Sequence, residues 1–289
     1  MFNSVKVSLF ICFLYVFDSN GQSPYETQGK FAFRDTLTIP AQYEIGPGQL
    51  NKNGSAYLVG LISGNLEDQV DLKSDLYHIY LNRHTQTSPP EELHLPNPPD
   101  SLRIFQATAS DNEEQLVFVV NAYSGWNDNE LAIAVKDGNN HYGKIQPLSG
   151  LNDPIQSDAY PWISGDGLRL YFTRNYTLMY SERTSTENLF VSPAPVVFTG
   201  SVQLEIVSVW LSPNEKTLFL IGDNRIYKAT RSSRSKPFSL PELFTDEFKD
   251  FYFVSGLSFS PDKKNMYIYH TDGETHRILH YILKKGKAW

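Results

Sequence analysis

The chain has a single cysteine, Cys12, in 289 residues. It lies in an N-terminal apolar stretch, Val7 to Phe17, which follows Lys6 and ends in Asp18-Ser19-Asn20-Gly21. A charged start, an apolar run too short to span a bilayer and small residues at its end predict a secretory signal peptide over 1–21. The destination read from it is secreted or periplasmic. Ile11 precedes Cys12 where a lipoprotein signal places a small residue, which argues against a lipid anchor. The remaining segment, 22–289, is cysteine-free, so disulfides are excluded as its source of stability.

Other absences narrow the function. Beyond the N-terminal stretch no apolar run is long enough for an integral membrane span. Positive charge is outnumbered, with 25 Lys and Arg against 32 Asp and Glu and a net charge of −7, which disfavours nucleic acid or an anionic membrane as partner. The clusters Arg231-Arg234-Lys236 and Lys284-Lys285-Lys287 read as solvated loop and tail charges. There is no His-Glu-x-x-His, no Gly-x-Ser-x-Gly elbow and no phosphate-cradling glycine loop. His276 and His280 fall on a predicted strand, roughly 13 Å apart at ~3.3 Å per residue, too far to share a metal. The loops Asp128–Glu130 and Asp137–Asn140 offer oxygen ligands but match no full calcium loop. The sequence therefore names no metal site and no cofactor. Asn53-Gly54-Ser55 and Asn175-Tyr176-Thr177 fit the glycosylation sequon.

What is present is a phrase that returns. Its best copy runs from Ser164 to Phe172, and others begin at Asn51, Ser110, Ser212 and Ser260, at intervals of 59, 54, 48 and 48 residues. Such self-similarity marks a repeat architecture. Counted from each serine, positions −3 and −1 are apolar with period two, as in Ala107/Ala109 and Leu257/Phe259, which predicts a strand. Turn formers follow: Asp111-Asn112, Gly165-Asp166-Gly167, Pro213-Asn214 and Pro261-Asp262. Positions +6 to +8 are uniformly apolar, as in Leu170-Tyr171-Phe172, which predicts a strand covered on both faces. A third strand is expected at Tyr77–Tyr80, Leu131–Ala134, Leu178–Tyr180, Arg225–Tyr227 and Ile278–Tyr281. A weaker fourth is expected near Leu93–Leu95, Lys144–Leu148, Val196–Phe198 and Leu240–Leu243. The fifth copy lacks a fourth strand, and the alternating segment Lys30–Ile39 is its natural donor.

The fold class is therefore all-β, a single domain over 22–289: a propeller of four-stranded antiparallel blades closed by an N-terminal strand. Five phrases predict five blades. A sixth, degenerate blade around residues 24–50 is the alternative. The chain is expected to act as a monomer.

Trp162-Ile163-Ser164-Gly165-Asp166-Gly167-Leu168-Arg169-Leu170-Tyr171-Phe172 resembles the repeat of TolB-type, WD40-like (PD40) propellers. Trp210–Asn214 and Leu257–Asp262 match it partially, and the Asn51 copy poorly. The resemblance spans roughly 40–285 and is structural, since the motif builds a blade's inner hairpin. It implies a binding scaffold, which in some members is the non-catalytic propeller of a larger hydrolase.

In such a ring, the segments entering the first strands and the loops between second and third strands share one face. That face is expected to hold Arg103, Asp158, Tyr160, Glu205, Asp250 and Tyr252. It also collects Asp68, Asp75, Tyr123 to Asp128 with Trp126, Asn175-Tyr176, and Asp272 to Arg277. Aromatics beside polar groups suit recognition. Arg103, Trp126, Tyr160 and Tyr252 are the candidate ligand-binding residues, for a protein or polysaccharide partner. The alternative is a glycosidase-like hydrolase. It would use two of the carboxylates Asp158, Glu205 and Asp250, which must stand roughly 5–10 Å apart. Asn152-Asp153-Pro154 and Ser164–Gly167 touch on sugar-hydrolase and sialidase motifs, but with mismatched surroundings.

Overall fold

The structure is a computed structural model that describes residues 23–65, 70–96, 102–122 and 129–287. The expected signal peptide, Asp68 and the 123–128 loop with Trp126 lie outside the described residues. Five sheets follow one another along the chain, each antiparallel and wound outward from an inner strand. The inner strands of consecutive sheets touch, and that of the fifth touches that of the first. The ring is a five-bladed β-propeller.

The second blade runs Leu102–Ala109, Gln115–Ala122, Glu130–Val135 and Gln146–Pro147. The third is Asp158–Ile163, Arg169–Arg174, Thr177–Glu182 and Ala194–Pro195. The fourth is Ser208–Leu211, Thr217–Gly222, Arg225–Thr230 and Glu242–Thr245. The fifth has Phe253–Phe259, Asn265–Thr271 and His276–Leu283, and its outer strand is Phe31–Thr36 from the other end of the chain. That strand is the donor the sequence predicts, and residues 24–50 build no sixth blade. The expected outer strands are present: that of the second blade falls within its expected range, the others are displaced by about two residues, and those of the first three blades are made of two-residue pieces.

The first blade departs most from the pattern. Its middle strands, Ala56–Asn65 and Val70–Asn82, are long. Its inner strand is broken into Glu44–Ile45 and Gln49–Leu50, and its outer one into Thr85–Gln86 and Glu91–Glu92. The inner break is Gly46-Pro47-Gly48. Pro47 has no N–H for a ladder, and a Cβ on Gly48 would stand 2.0 Å from the Leu58 carbonyl.

The repeated phrase is a hydrogen-bonding device. The hydroxyls of Ser110, Ser164, Ser212 and Ser260 each accept the N–H five residues on, at 2.9–3.0 Å. Asn51 does the same through Oδ1, at 3.1 Å from the Ala56 N. In three copies the serine also donates to the Asp or Asn two residues later, and that side chain accepts a further N–H. The position three after the serine is left-handed in all five copies: Gly54, Glu113, Gly167, Glu215 and Lys263.

Apolar area is buried between blades in layers. One layer holds Leu58, Ile104 and Phe118 between the first and second blades, another Val119, Ile163 and Phe172 between the second and third. Trp162, Trp210, Phe219, Phe259 and Tyr281 fill the third, fourth and fifth. Tyr57, Tyr267 and Tyr269 join the fifth to the first. Arg231 corrects the reading of its cluster as solvated. Its side chain is 8% exposed and packs against Glu215.

Candidate binding face around the channel

Four residues before each serine the inner strands carry Pro47, Gln106, Tyr160, Ser208 and Gly256. Three of these strands bulge there, and Gln106, Tyr160 and Gly256 take positive φ. The bulges turn polar groups across the axis. Gln106 N donates to Pro47 O at 3.0 Å, and Tyr160 N donates to Gln106 Oε1 at 2.7 Å. Gln49 Nε2 reaches Pro161 O at 3.2 Å, and Leu257 N reaches the Ser208 hydroxyl at 3.4 Å. The channel is thus bridged at mid-depth, which separates its two mouths.

Tyr160 stands beside Ser255 at this level. Burial pushes its phenol up to about 12, against a smaller opposing effect of Ser255. It is close enough to Tyr176 for the two phenols to interact. Tyr252 is 73% exposed, while its backbone is held by Asn224, whose amide donates to Phe251 O and Tyr252 O at 2.6 and 3.3 Å. Arg103 is half-buried at the start of the second blade's inner strand, opposite Asn121. Asp272 organises the neighbouring turn by accepting from Thr275 and Glu274. These bonds hold its carboxyl well below the usual range.

The three carboxylates of the hydrolase alternative have different fates. Asp158 is fully buried. Its Oδ1 is 2.8 Å from Arg174 Nε, and its Oδ2 accepts the Asp153 N–H. Burial raises its pKa, opposed by the Arg174 hydrogen bond. Glu205 is exposed, and Asp250, 87% exposed, has among the described residues only Lys249, at 3.8 Å. Asn152-Asp153-Pro154 is spent on the backbone: Asn152 exchanges two hydrogen bonds with Leu131, and Asp153 accepts from Ile155 and Gln156.

Among the described residues no three His, Cys, Asp or Glu side chains group as metal ligands. His276 bonds Tyr269 and lies 3.5 Å from Glu44, whereas His280 is held by Asp35 and Asn265. No helix among them is long and apolar enough to cross a membrane. A cavity of about 530 Å³ opens at the opposite face, under the turns of the repeated phrase. The sequence had marked those turns only as backbone devices. The overlooked signal was charge, since Lys52 occupies a position where the other copies have Asp111, Gly165, Pro213 and Pro261.

No family model matches the sequence, and no curated protein does. Solved structures do. A GH43_1 enzyme from Xanthomonas citri is 11% identical, with 85% of this chain and 89% of that one covered at a TM-score of 0.56. A thermostable family-43 glycoside hydrolase is 13% identical, with 88% and 95% covered and a TM-score of 0.54. The kinship is one of fold. TolB from Acinetobacter baumannii, 14% identical, is covered to 54% by 82% of this chain, with a TM-score of 0.49. The chain thus spans about half of that protein's length, or less of others such as a prolyl endopeptidase, at 36%.

Proposed function

We propose that this chain is a secreted or periplasmic binding propeller without chemistry of its own, which takes a protein or polysaccharide partner at the channel face. Its contact residues are Arg103, Tyr160 and Tyr252, together with Trp126 from the loop outside the described residues. The observation that carries the reading is the fate of the carboxylates. A buried Asp158 held by Arg174 is not placed to pass protons to a substrate, and Glu205 and Asp250 stand in solvent. The phenol of Tyr252, by contrast, projects into solvent from pinned backbone. Rigid presentation of an aromatic lowers the ordering cost of binding.

The test is a pull-down from extract and culture medium with the 22–289 chain, beside a folded Tyr160→Ala/Tyr252→Ala variant. A protein recovered by the first and lost with the second supports a protein partner. Retention on a polysaccharide array with the same loss supports a glycan. Hydrolysis of a glycan that survives Tyr252→Ala but not Glu205→Gln or Asp250→Asn would return the hydrolase alternative.

A further inference from the structure

The third strand of each blade ends at an equivalent position, where an N–H returns to the residue four after the phrase's serine or, in the first blade, its asparagine. These donors are Leu81, Lys136, Arg183, Arg231 and Leu283. In the third and fourth blades the residue is an arginine that reaches back to the preceding blade. Arg183 donates to the Gly167 carbonyl and to Gln115. Arg231 donates to the Glu215 carbonyl and the Tyr171 hydroxyl. The second blade has Lys136 instead, whose Nζ turns to the Asn112 carbonyl at 3.3 Å. The groove between the first and second blades stays open as the cavity of about 530 Å³.

Lys52 lines this cavity. Among the described residues its amine makes no hydrogen bond or ion pair, and it rests 4.0 Å over the Trp162 ring. Burial lowers its pKa to about 7, with Asp111 and Glu215 opposing. At pH 7 about half of it is then a free amine, against roughly one in three thousand for an ordinary lysine. A desolvated, neutral lysine amine is a nucleophile toward carbonyl carbon. Its product with an aldehyde, a protonated imine, puts positive charge back on the same nitrogen. The Trp162 face and the carboxylates of Asp111 and Glu215 favour that charge. A carbamate would place a negative charge there instead.

The rest of the wall selects among aldehydes. Burial would raise the Glu113 carboxyl, but His78 at 2.8 Å and Asn51 at 2.7 Å hold it below the usual range. The carboxylates of Asp111 and Glu113 therefore stand against the ammonium of Lys136, and an anionic ligand meets no excess of positive charge. The amides of Asn53 and Asn112, also on the wall, pair with hydroxyls, whereas an apolar chain would displace their water without replacing its hydrogen bonds.

We propose that the cavity captures a short, uncharged hydroxyaldehyde as an imine on Lys52. Nζ adds to the aldehyde carbon, the carbonyl electron pair moves onto oxygen, and a proton passes from nitrogen to that oxygen. The hydroxyl of this carbinolamine then leaves as water with a proton from solvent, while the nitrogen lone pair closes the C=N bond. Amine, aldehyde and one proton thus become iminium and one water. Nothing is oxidised or reduced, and water reverses the step. This is capture without turnover, on the face opposite Tyr252, so it stands or falls apart from the channel-face reading.

The test is reductive trapping of the folded 22–289 chain at pH 7 with glyceraldehyde and cyanoborohydride, which reduces iminium in place, followed by peptide mapping by mass spectrometry. Lys52 is expected to label about tenfold faster or more than Lys216, an exposed lysine on another copy of the repeated turn. In denaturing urea the two should label equally. Propionaldehyde, of the same chain length without hydroxyls, should label Lys52 several-fold more slowly. Tyr252→Ala should leave the Lys52 rate unchanged. Lys52→Arg, checked for its melting temperature, should remove the fast adduct and create none elsewhere. Labelling of Lys52 no faster than Lys216, an advantage that persists in urea, equal rates with propionaldehyde, or a fast adduct that survives in Lys52→Arg would each overturn the proposal.

Discussion

Asp35 and His280 are separated by 245 residues in the chain and by 2.9 Å in the structure. His280 is fully buried, stacks on Tyr267 with ring centroids 4.5 Å apart, and turns its other nitrogen to Asn265 Oδ1 at 2.9 Å. The pair clamps the N-terminal strand onto the last blade. Asp35→Ala should therefore lower stability by about 1–3 kcal/mol, the cost of unpairing a buried group. Urea unfolding measures this. Amide exchange should accelerate first in Phe31–Thr36, and uniform acceleration around the ring would show that the clamp is not local.

Glu215 is the second load-sharing group. It is 1% exposed, and its carboxylate meets Arg169 at 2.7 Å, Arg231 at 3.6 Å and the Tyr171 hydroxyl at 3.1 Å. Glu215→Ala removes the carboxylate shared by Arg231 and Arg169, of which Arg169 keeps Asp166 at 2.8 Å, and should destabilise by about 3 kcal/mol. The neighbouring exposed Glu242→Ala serves as the control, expected to shift the urea midpoint little.

Scaffold and face separate under mutation. Trp162, 2% exposed and edge-on to Tyr171, should cost about 3–5 kcal/mol when cut to alanine. Tyr252→Ala should stay within about 0.5 kcal/mol, as surface changes do. Comparable falls in melting temperature for the two variants would refute the placement of Tyr252 as a projecting side chain.

Lys52 predicts a pH signature. Its pKa is lowered from 10.5 to about 7 in the fold, so the folded chain binds fewer protons than the unfolded one between those values. The unfavourable contribution is absent above the unfolded value, grows as pH falls, and is complete below about 7. Lys52→Met should thus be more stable than the parent near and below neutrality, and the difference should vanish toward pH 10.5. Asp111 and Glu215 are the charged groups that oppose this lowering, so Asp111→Asn should enlarge the difference.

The turn itself can be tested at Gly167, where φ is 72° and a Cβ would lie 2.5 Å from Gln115 Oε1. Gly167→Ala should cost about 1–3 kcal/mol. Denaturant midpoints of Gly167→Ala and of Lys263→Gly, at the equivalent position of the fifth blade, should move in opposite directions.

The ring was legible because its signals are short-range and repeated. Serine, turn residues and apolar triplet recur together, and each serine closes its own hairpin within five residues. The donor strand was legible too, since one blade was short of a strand and one alternating segment was spare. The fate of Asp158 was half-written: it and Arg174 lie eight residues either side of Asp166, and they pair across the hairpin. The direction of Glu205 and Asp250 was not, because loop paths depend on neighbours that no local pattern specifies. The turn-face cavity escaped for a related reason. It arises from a lysine at 136 where the next two blades carry Arg183 and Arg231, and that difference has meaning only once the three ends are superposed.

The closing strand also fixes a timetable. Phe31 pairs with Leu283, which is made 252 residues later. During synthesis this strand must wait without its partner until the fifth blade is made, and no local event can seat it. Seating this strand is a long-range step that should set the pace of folding. A permuted chain with Phe31–Thr36 joined behind Leu283 would turn that search into the closing of a hairpin.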